Sequence, residues 1–126
     1  MSSIAKAAVS KFLIEVKTTL QKTNPKNPSW TLSTIREKNL ATLSELEMTN
    51  ESVKNVILSL TPDNYCAGPL KDCKLPGELW EFGTKIRGLE IYIKIKLMND
   101  KYGSSVRILS FHRAERPLVY HFCANG

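Results

Sequence analysis

The chain has 126 residues and a mass of 14.2 kDa, the size of one ordinary domain. Its net charge is +6 and its hydrophobic content 42%, which suits a single core and excludes a disordered, low-complexity chain. No stretch approaches the ~20 apolar residues of a membrane helix, and three cysteines without a C-x-x-C pair argue against a secreted disulfide framework.

In chain order, Ser3 to Lys22 reads as an amphipathic helix, with Ile4, Ala8, Phe12, Val16 and Leu20 recurring every four residues. Lys6, Lys11, Glu15 and Lys17 interrupt any signal-like apolar core, so a cytoplasmic location is expected. Asn24-Pro25-Lys26-Asn27-Pro28 breaks the helix and forces an extended turn. Trp30 to Ser33 alternates like a short strand. Lys38 to Glu47 suits a helix with Leu40, Leu43 and Leu46 as its apolar side. Thr49 or Asn50 can cap a further helix from Glu51 to Leu60, which buries Val53, Val56, Ile57 and Leu60 and ends at Pro62.

Tyr65 to Gly77 holds two prolines and two glycines and reads as loop. The period then changes from helical to alternating. Trp80 to Ile86 and Leu89 to Leu97 form strands around a two-residue Arg87-Gly88 turn. Asn99 to Ser105 is a polar loop, and Val106 to Arg113 is the last strand. Helices first and strands last predict one α+β domain over residues 1–126. Residues 1–23 form the N-terminal helix, 24–29 the proline-containing loop and 30–126 the core. The helices are expected on one face of a small antiparallel sheet.

Charge is unevenly spread. Met1 to Thr84 carries 10 basic and 9 acidic residues, whereas Lys85 to Arg113 carries 7 and 2. Such a local excess fits a polyanion footprint, and equally a solvated strand face. Leu89 to Leu97 gives the excess a direction. Leu89, Ile91, Ile93, Ile95 and Leu97 share one face, and Glu90, Tyr92, Lys94 and Lys96 the other.

Counting back from the Arg87-Gly88 turn pairs Phe82 with Ile93 and Glu81 with Lys94. A symmetric loop around Tyr102 puts Leu109 opposite Ile95, Phe111 opposite Ile93 and His112 opposite Tyr92. One open face then carries Glu81, Lys85, Tyr92, Lys94, Ser110 and His112. Metal-free RNA cleavage needs such groups: a base for the 2′-hydroxyl, an acid for the leaving 5′-oxygen, and cations for the phosphoryl oxygens. Each residue also has a structural reading. His112 can be a strand histidine bonded to backbone, Tyr92 an ordinary strand aromatic, Glu81 and Lys94 a cross-strand ion pair, and Trp80 and Phe111 core.

Several blocks carry a resemblance. They are Leu46 to Leu60, Tyr65-Cys66-Ala67-Gly68-Pro69, Trp80-Glu81-Phe82-Gly83, Glu90 to Ile95, Leu109 to Pro117, and Tyr120-His121-Phe122. In order and spacing they resemble the MqsR-like toxins of type II toxin-antitoxin systems, a branch of the RelE superfamily. The resemblance implies a RelE-like fold, an endoribonuclease acting on messenger RNA, and a cognate antitoxin with a helix-turn-helix DNA-binding domain. No cofactor, metal or membrane is expected.

The resemblance makes His112, Tyr92, Lys94 and Glu81 the candidate catalytic residues. Lys85, Arg87, Lys96, Arg113 and Lys71 are the candidate phosphate-binding residues. His112 stands where the family has a lysine, Glu81 where it has a glutamine, and Cys66 near a further lysine whose place Lys71 or Lys85 must fill. The alternative is a non-catalytic basic module that binds RNA, DNA or an acidic protein. A zinc site from His112, His121, Cys123 and either Cys66 or Cys73 fits no usual ligand spacing.

Overall fold

The computed structural model describes residues 5–22, 29–71, 77–101 and 103–122. The expectations for Ile4, the Asn24–Pro28 loop, Cys73, Tyr102 and Cys123 lie outside the described residues.

The four-residue periodicity at the N-terminus becomes α1 (Lys6–Gln21), which buries Val9, Phe12, Leu13, Val16 and Leu20. β1 (Trp30–Leu32), α2 (Glu37–Glu45) and α3 (Asn50–Ser59) follow. Thr49 caps α3: its hydroxyl accepts from Ser52 N, and Ser52 Oγ accepts from Thr49 N, both at 3.2 Å. Pro62 opens a single 3-10 turn, Pro62–Asn64. β2 (Tyr65–Lys71), β3 (Glu78–Ile86), β4 (Leu89–Asp100) and β5 (Gly103–Arg113) complete an α+β fold. Among the described residues, no helix is long and apolar enough to cross a membrane.

The sheet order is β1-β5-β4-β3-β2. β2 to β5 run antiparallel to their neighbours, and β1 lies parallel to β5. The sheet is therefore mixed rather than purely antiparallel. The long chain between β1 and β5 lets β1 arrive in the same direction as its partner.

One sheet face carries Phe82, Ile91, Ile93, Ile95 and Phe111, all with no exposed surface. α1 covers this face, and the Phe12 ring stacks on Trp80 with centroids 4.5 Å apart. α3 adds Val53 and Ile57 to the same core.

The β3–β4 hairpin has the expected register, with Phe82 opposite Ile93 and Glu81 opposite Lys94. Arg87 (φ 51°) and Gly88 (φ 81°) both take the left-handed conformation of a two-residue primed turn.

Three expectations are corrected. Tyr65–Lys71 is an edge strand, not loop, pairing with β3 through two register shifts, the second of which, between Ala67 and Leu70, accommodates Gly68 and Pro69. The polar loop at 99–105 is mostly strand, since Asn99 pairs with Ser104 and Asp100 with Gly103. The tighter turn moves the register by one, and a bulge restores it. Ile95 faces Ile108, Lys94 faces Ser110, and Leu109 is the extra residue.

The third correction concerns α2. Of the expected apolar side, Leu46 is in the core and Leu43 packs against it, but Leu40 is 49% exposed, and Asn39 and Thr42 point inward. β1 ends at its Leu32–Ile108 pairing, so β5 needs other partners beyond that point. Asn39 Nδ2 donates to Leu109 O at 3.1 Å, and Asn39 Oδ1 accepts from Phe111 N at 3.0 Å. Thr42 Oγ1 accepts from Arg113 N at 3.0 Å. Two polar side chains thus satisfy a strand edge that would otherwise be bare.

After β5 the chain turns back across the other sheet face as a strap, residues 114–122. Ala114 N donates to Glu90 O at 2.8 Å, and the Glu90 carboxylate accepts from Leu118 N at 3.1 Å and Tyr120 OH at 2.9 Å. Gly83 permits the crossing: a Cβ there would lie 2.5 Å from Leu118 Cδ1 and 2.6 Å from the Tyr120 hydroxyl.

Candidate active-site cleft

Beside the strap, the face opposite the core remains open as a cleft of about 1020 Å³. Its floor comes from β3, β4 and β5, which present Glu81, Tyr92, Lys94, Ser110 and His112. β2 adds Cys66 and Ala67. The start of α2 forms one wall with Arg36, Glu37 and Lys38, and the strap forms another from Glu115 to Val119.

All four candidate catalytic residues, His112, Tyr92, Lys94 and Glu81, line this cleft. Strand alternation puts them on one face, and the Leu109 bulge preserves that face, because Tyr92 still meets His112 across the ladder. The Tyr92 and His112 ring centroids are 5.4 Å apart.

The Tyr92 hydroxyl donates to Glu81 Oε2 at 2.7 Å. Burial and this bond to a carboxylate push the phenol well above its ordinary pKa, with the Arg36 charge pulling the other way. Tyr92 is therefore a protonated donor near neutral pH. His112 is 9% exposed and its Nδ1 lies 2.9 Å from Arg113 O. A carbonyl only accepts, so Nδ1 carries hydrogen in that bond, leaving Nε2 as the nitrogen for other chemistry. The structural reading of His112 as backbone-bonded and its place in the cleft hold together. Glu81 and Lys94 are opposite each other, yet they make no ion pair within 4.0 Å. Trp80 and Phe111 are core residues.

The candidate phosphate-binding residues lie elsewhere. Lys71 is exposed at the end of β2, and Lys85 is exposed opposite Glu90. Arg87 occupies the β3–β4 turn. Lys96 is 2% exposed, its stem beside Gly77. Arg113 lies 3.3 Å from Glu45 on α2. None of the five lines the cleft.

Other cations do: Arg36, Lys38 and Arg116 join Lys94 there. Arg36 donates to Ser110 Oγ at 3.3 Å. Lys38 pairs with Glu115 at 2.6 Å across the cleft mouth, and this contact holds the exposed Glu115 carboxyl below its usual range. Arg36 and Arg116 escaped sequence reasoning because they reach the cleft only by tertiary approach, from segments without alternation.

Cys66 is also in the cleft. Burial, then the nearby Glu81 and Glu90 carboxylates, push its thiol up to about 12. It is a neutral wall rather than a nucleophile near neutral pH. Among the described residues, no three histidine, cysteine or acidic side chains gather closely enough to hold a metal ion.

The chain matches no protein-family model, no curated protein and no solved structure.

Proposed function

We propose that the protein is a toxin of the MqsR-like, RelE-superfamily type. Its activity is metal-independent endoribonuclease cleavage of messenger RNA in the cytoplasm, which inhibits translation and growth. The observation that carries this reading is the meeting of Tyr92, His112, Lys94 and Glu81 in one cleft. The sequence blocks from Leu46 to Phe122 support the RelE-like assignment.

The reaction needs no outside reagent. The RNA 2′-hydroxyl loses its proton to a base, and its oxygen bonds to the adjacent phosphorus. The bond from phosphorus to the 5′-oxygen breaks, and that oxygen takes up a proton. The products are a 2′,3′-cyclic phosphate and a 5′-hydroxyl. His112 Nε2 serves one proton transfer. Tyr92, kept protonated by burial and Glu81, orients the 2′-hydroxyl or shares proton transfer. Glu81 is the partner base, and Lys94 offsets charge on the phosphoryl oxygens. A cognate antitoxin with a helix-turn-helix domain is the expected regulator.

The test is expression of wild type and His112→Ala in a bacterium, with mapping of RNA 5′ ends. Growth arrest and new 5′-hydroxyl ends are expected from wild type and a loss of on the order of 100-fold in cleavage from the variant. Equal arrest and equal cleavage remove His112 from the mechanism. The local charge excess of Lys85–Arg113 favours a second reading, a binding module. Salt-sensitive RNA binding without cleavage at stoichiometric protein decides for it.

A further inference from the structure

The cleft contains an arginine that bonds to its floor and, among the described residues, has no carboxylate partner. Arg36 stands immediately before α2, and its guanidinium bonds to Ser110 Oγ, 74 residues later in the chain. Ser110 is itself 2% exposed and sits on the buried floor opposite Lys94. Its hydroxyl is neutral, so the contact orients the guanidinium without neutralising it. Among the described residues, no carboxylate lies within 4.0 Å of Arg36. Lys38, by contrast, is paired with Glu115.

The guanidinium lines the same cleft as Tyr92 and His112, whose rings are neighbours, and its partner Ser110 lies two residues before His112 on β5. An arginine keeps its charge and presents parallel N–H donors matched to two phosphate oxygens, whereas a lysine presents a point charge. An uncompensated guanidinium, exposed on the cleft wall and oriented by its bond to Ser110, suits a phosphodiester beside a phenol and an imidazole.

We propose that Arg36, held by Ser110, forms the phosphodiester-binding subsite of the cleft and takes the non-bridging oxygens of the bond flanked by Tyr92 and His112. The subsite rests on the ribonuclease reading, which supplies the scissile bond. Arg36 touches the substrate, and Ser110 is a positioning residue. Lys71, Lys85, Arg87, Lys96 and Arg113 have no part in this contact, since none lines the cleft.

The experiment uses the full chain and two probes. The first is a short random-sequence RNA with fluorine in place of every 2′-hydroxyl, which cannot be cleaved. Its binding is followed by anisotropy over a salt series. The second is the same pool as ordinary RNA, followed in single-turnover cleavage. The variants are Arg36→Ala, Arg36→Lys and Ser110→Ala, with Lys11→Ala as a charge control on α1, across the sheet from the cleft.

Arg36→Ala is expected to weaken binding about 10-fold or more, and to flatten the salt dependence by about one unit. Arg36→Lys should keep that slope and lose cleavage rate, because the charge stays and the paired donors go. Ser110→Ala should keep the slope and lower the cleavage rate. Circular dichroism melting checks folding, and Arg36→Lys carries the test if Arg36→Ala does not fold.

Wild-type binding and slope in Arg36→Ala, or equal losses in Arg36→Ala and Lys11→Ala, overturn the subsite. So does wild type that fails to bind the fluorinated RNA. Wild-type cleavage that persists in Arg36→Ala overturns the subsite alone. Wild type that binds through Arg36 and never cleaves instead overturns the ribonuclease reading.

Discussion

Asn39→Ala is expected to be among the most damaging single changes outside the apolar core. Asn39 has no exposed surface. Its amide donates to Ser33 O at 2.9 Å and Leu109 O at 3.1 Å, and its carbonyl accepts from Phe111 N at 3.0 Å. Truncation leaves strand groups on both sides of Ser110 without partners in the interior. At about 1–3 kcal/mol for each buried group left unsatisfied, two such groups give about 4 kcal/mol. That is a large part of the roughly 5–15 kcal/mol that holds a domain of this size together. Leu40→Ala, one residue along and half exposed, should stay within about 0.5 kcal/mol. Urea unfolding followed by circular dichroism measures both. A larger loss for Leu40→Ala than for Asn39→Ala would refute the reasoning, because it would place Leu40 in the interior. The readout also reaches the cleft, since Asn39 bonds to the bulge residue that precedes Ser110.

Two further outcomes concern the strap and the thiol. Glu90→Ala removes the acceptor of Leu118 N and Tyr120 OH, so the strap should lift. A loss of about 2 kcal/mol is expected, with faster hydrogen exchange at Leu118 and faster chymotryptic cleavage after Tyr120; unchanged exchange at Leu118 would show that Glu90 does not hold it. Cys66 has a folded-state pKa raised from an ordinary value of 9.0 to about 12. The fold favours the protonated thiol, so its contribution is fully present below pH 9 and is lost as pH rises towards 12. Cys66→Ala should flatten the fall in urea midpoint over that window. A parallel fall in wild type and variant would assign the alkaline loss to other groups, Tyr92 among them.

The β3–β4 hairpin was legible because strict alternation and a two-residue turn leave one register that buries the apolar set. The pairing of Tyr92 with His112 was reached through a symmetric loop that does not exist. The real turn is tighter, and the Leu109 bulge returns the missing residue before Ser110. β2 was hidden because glycine, proline and two register shifts give an irregular edge strand the composition of a loop. α2 was legible in part. Hydrophobic periodicity finds Leu43 and Leu46, which meet the apolar core, but not Asn39 and Thr42, which meet a strand edge where polar side chains serve better. The same limit explains the cleft. The floor follows from strand alternation. Arg36, Arg116 and Glu115 come from segments whose place is set only once α2 and the strap have docked.

The parallel pairing of β1 with β5 bears on how the chain assembles. Trp30 meets Val106 and Leu32 meets Ile108, so the first strand waits for the last. The β3–β4–β5 meander joins strands that are neighbours in sequence. The N-terminal half closes onto it only through contacts of long sequence separation, the kind that slows folding. The cleft depends on the same long-range contacts, because its walls join residue 36 to residues 110–119. Without β5 it lacks the part of its floor that Ser110 and His112 supply. The topology thus makes the cleft depend on the last strand of the chain.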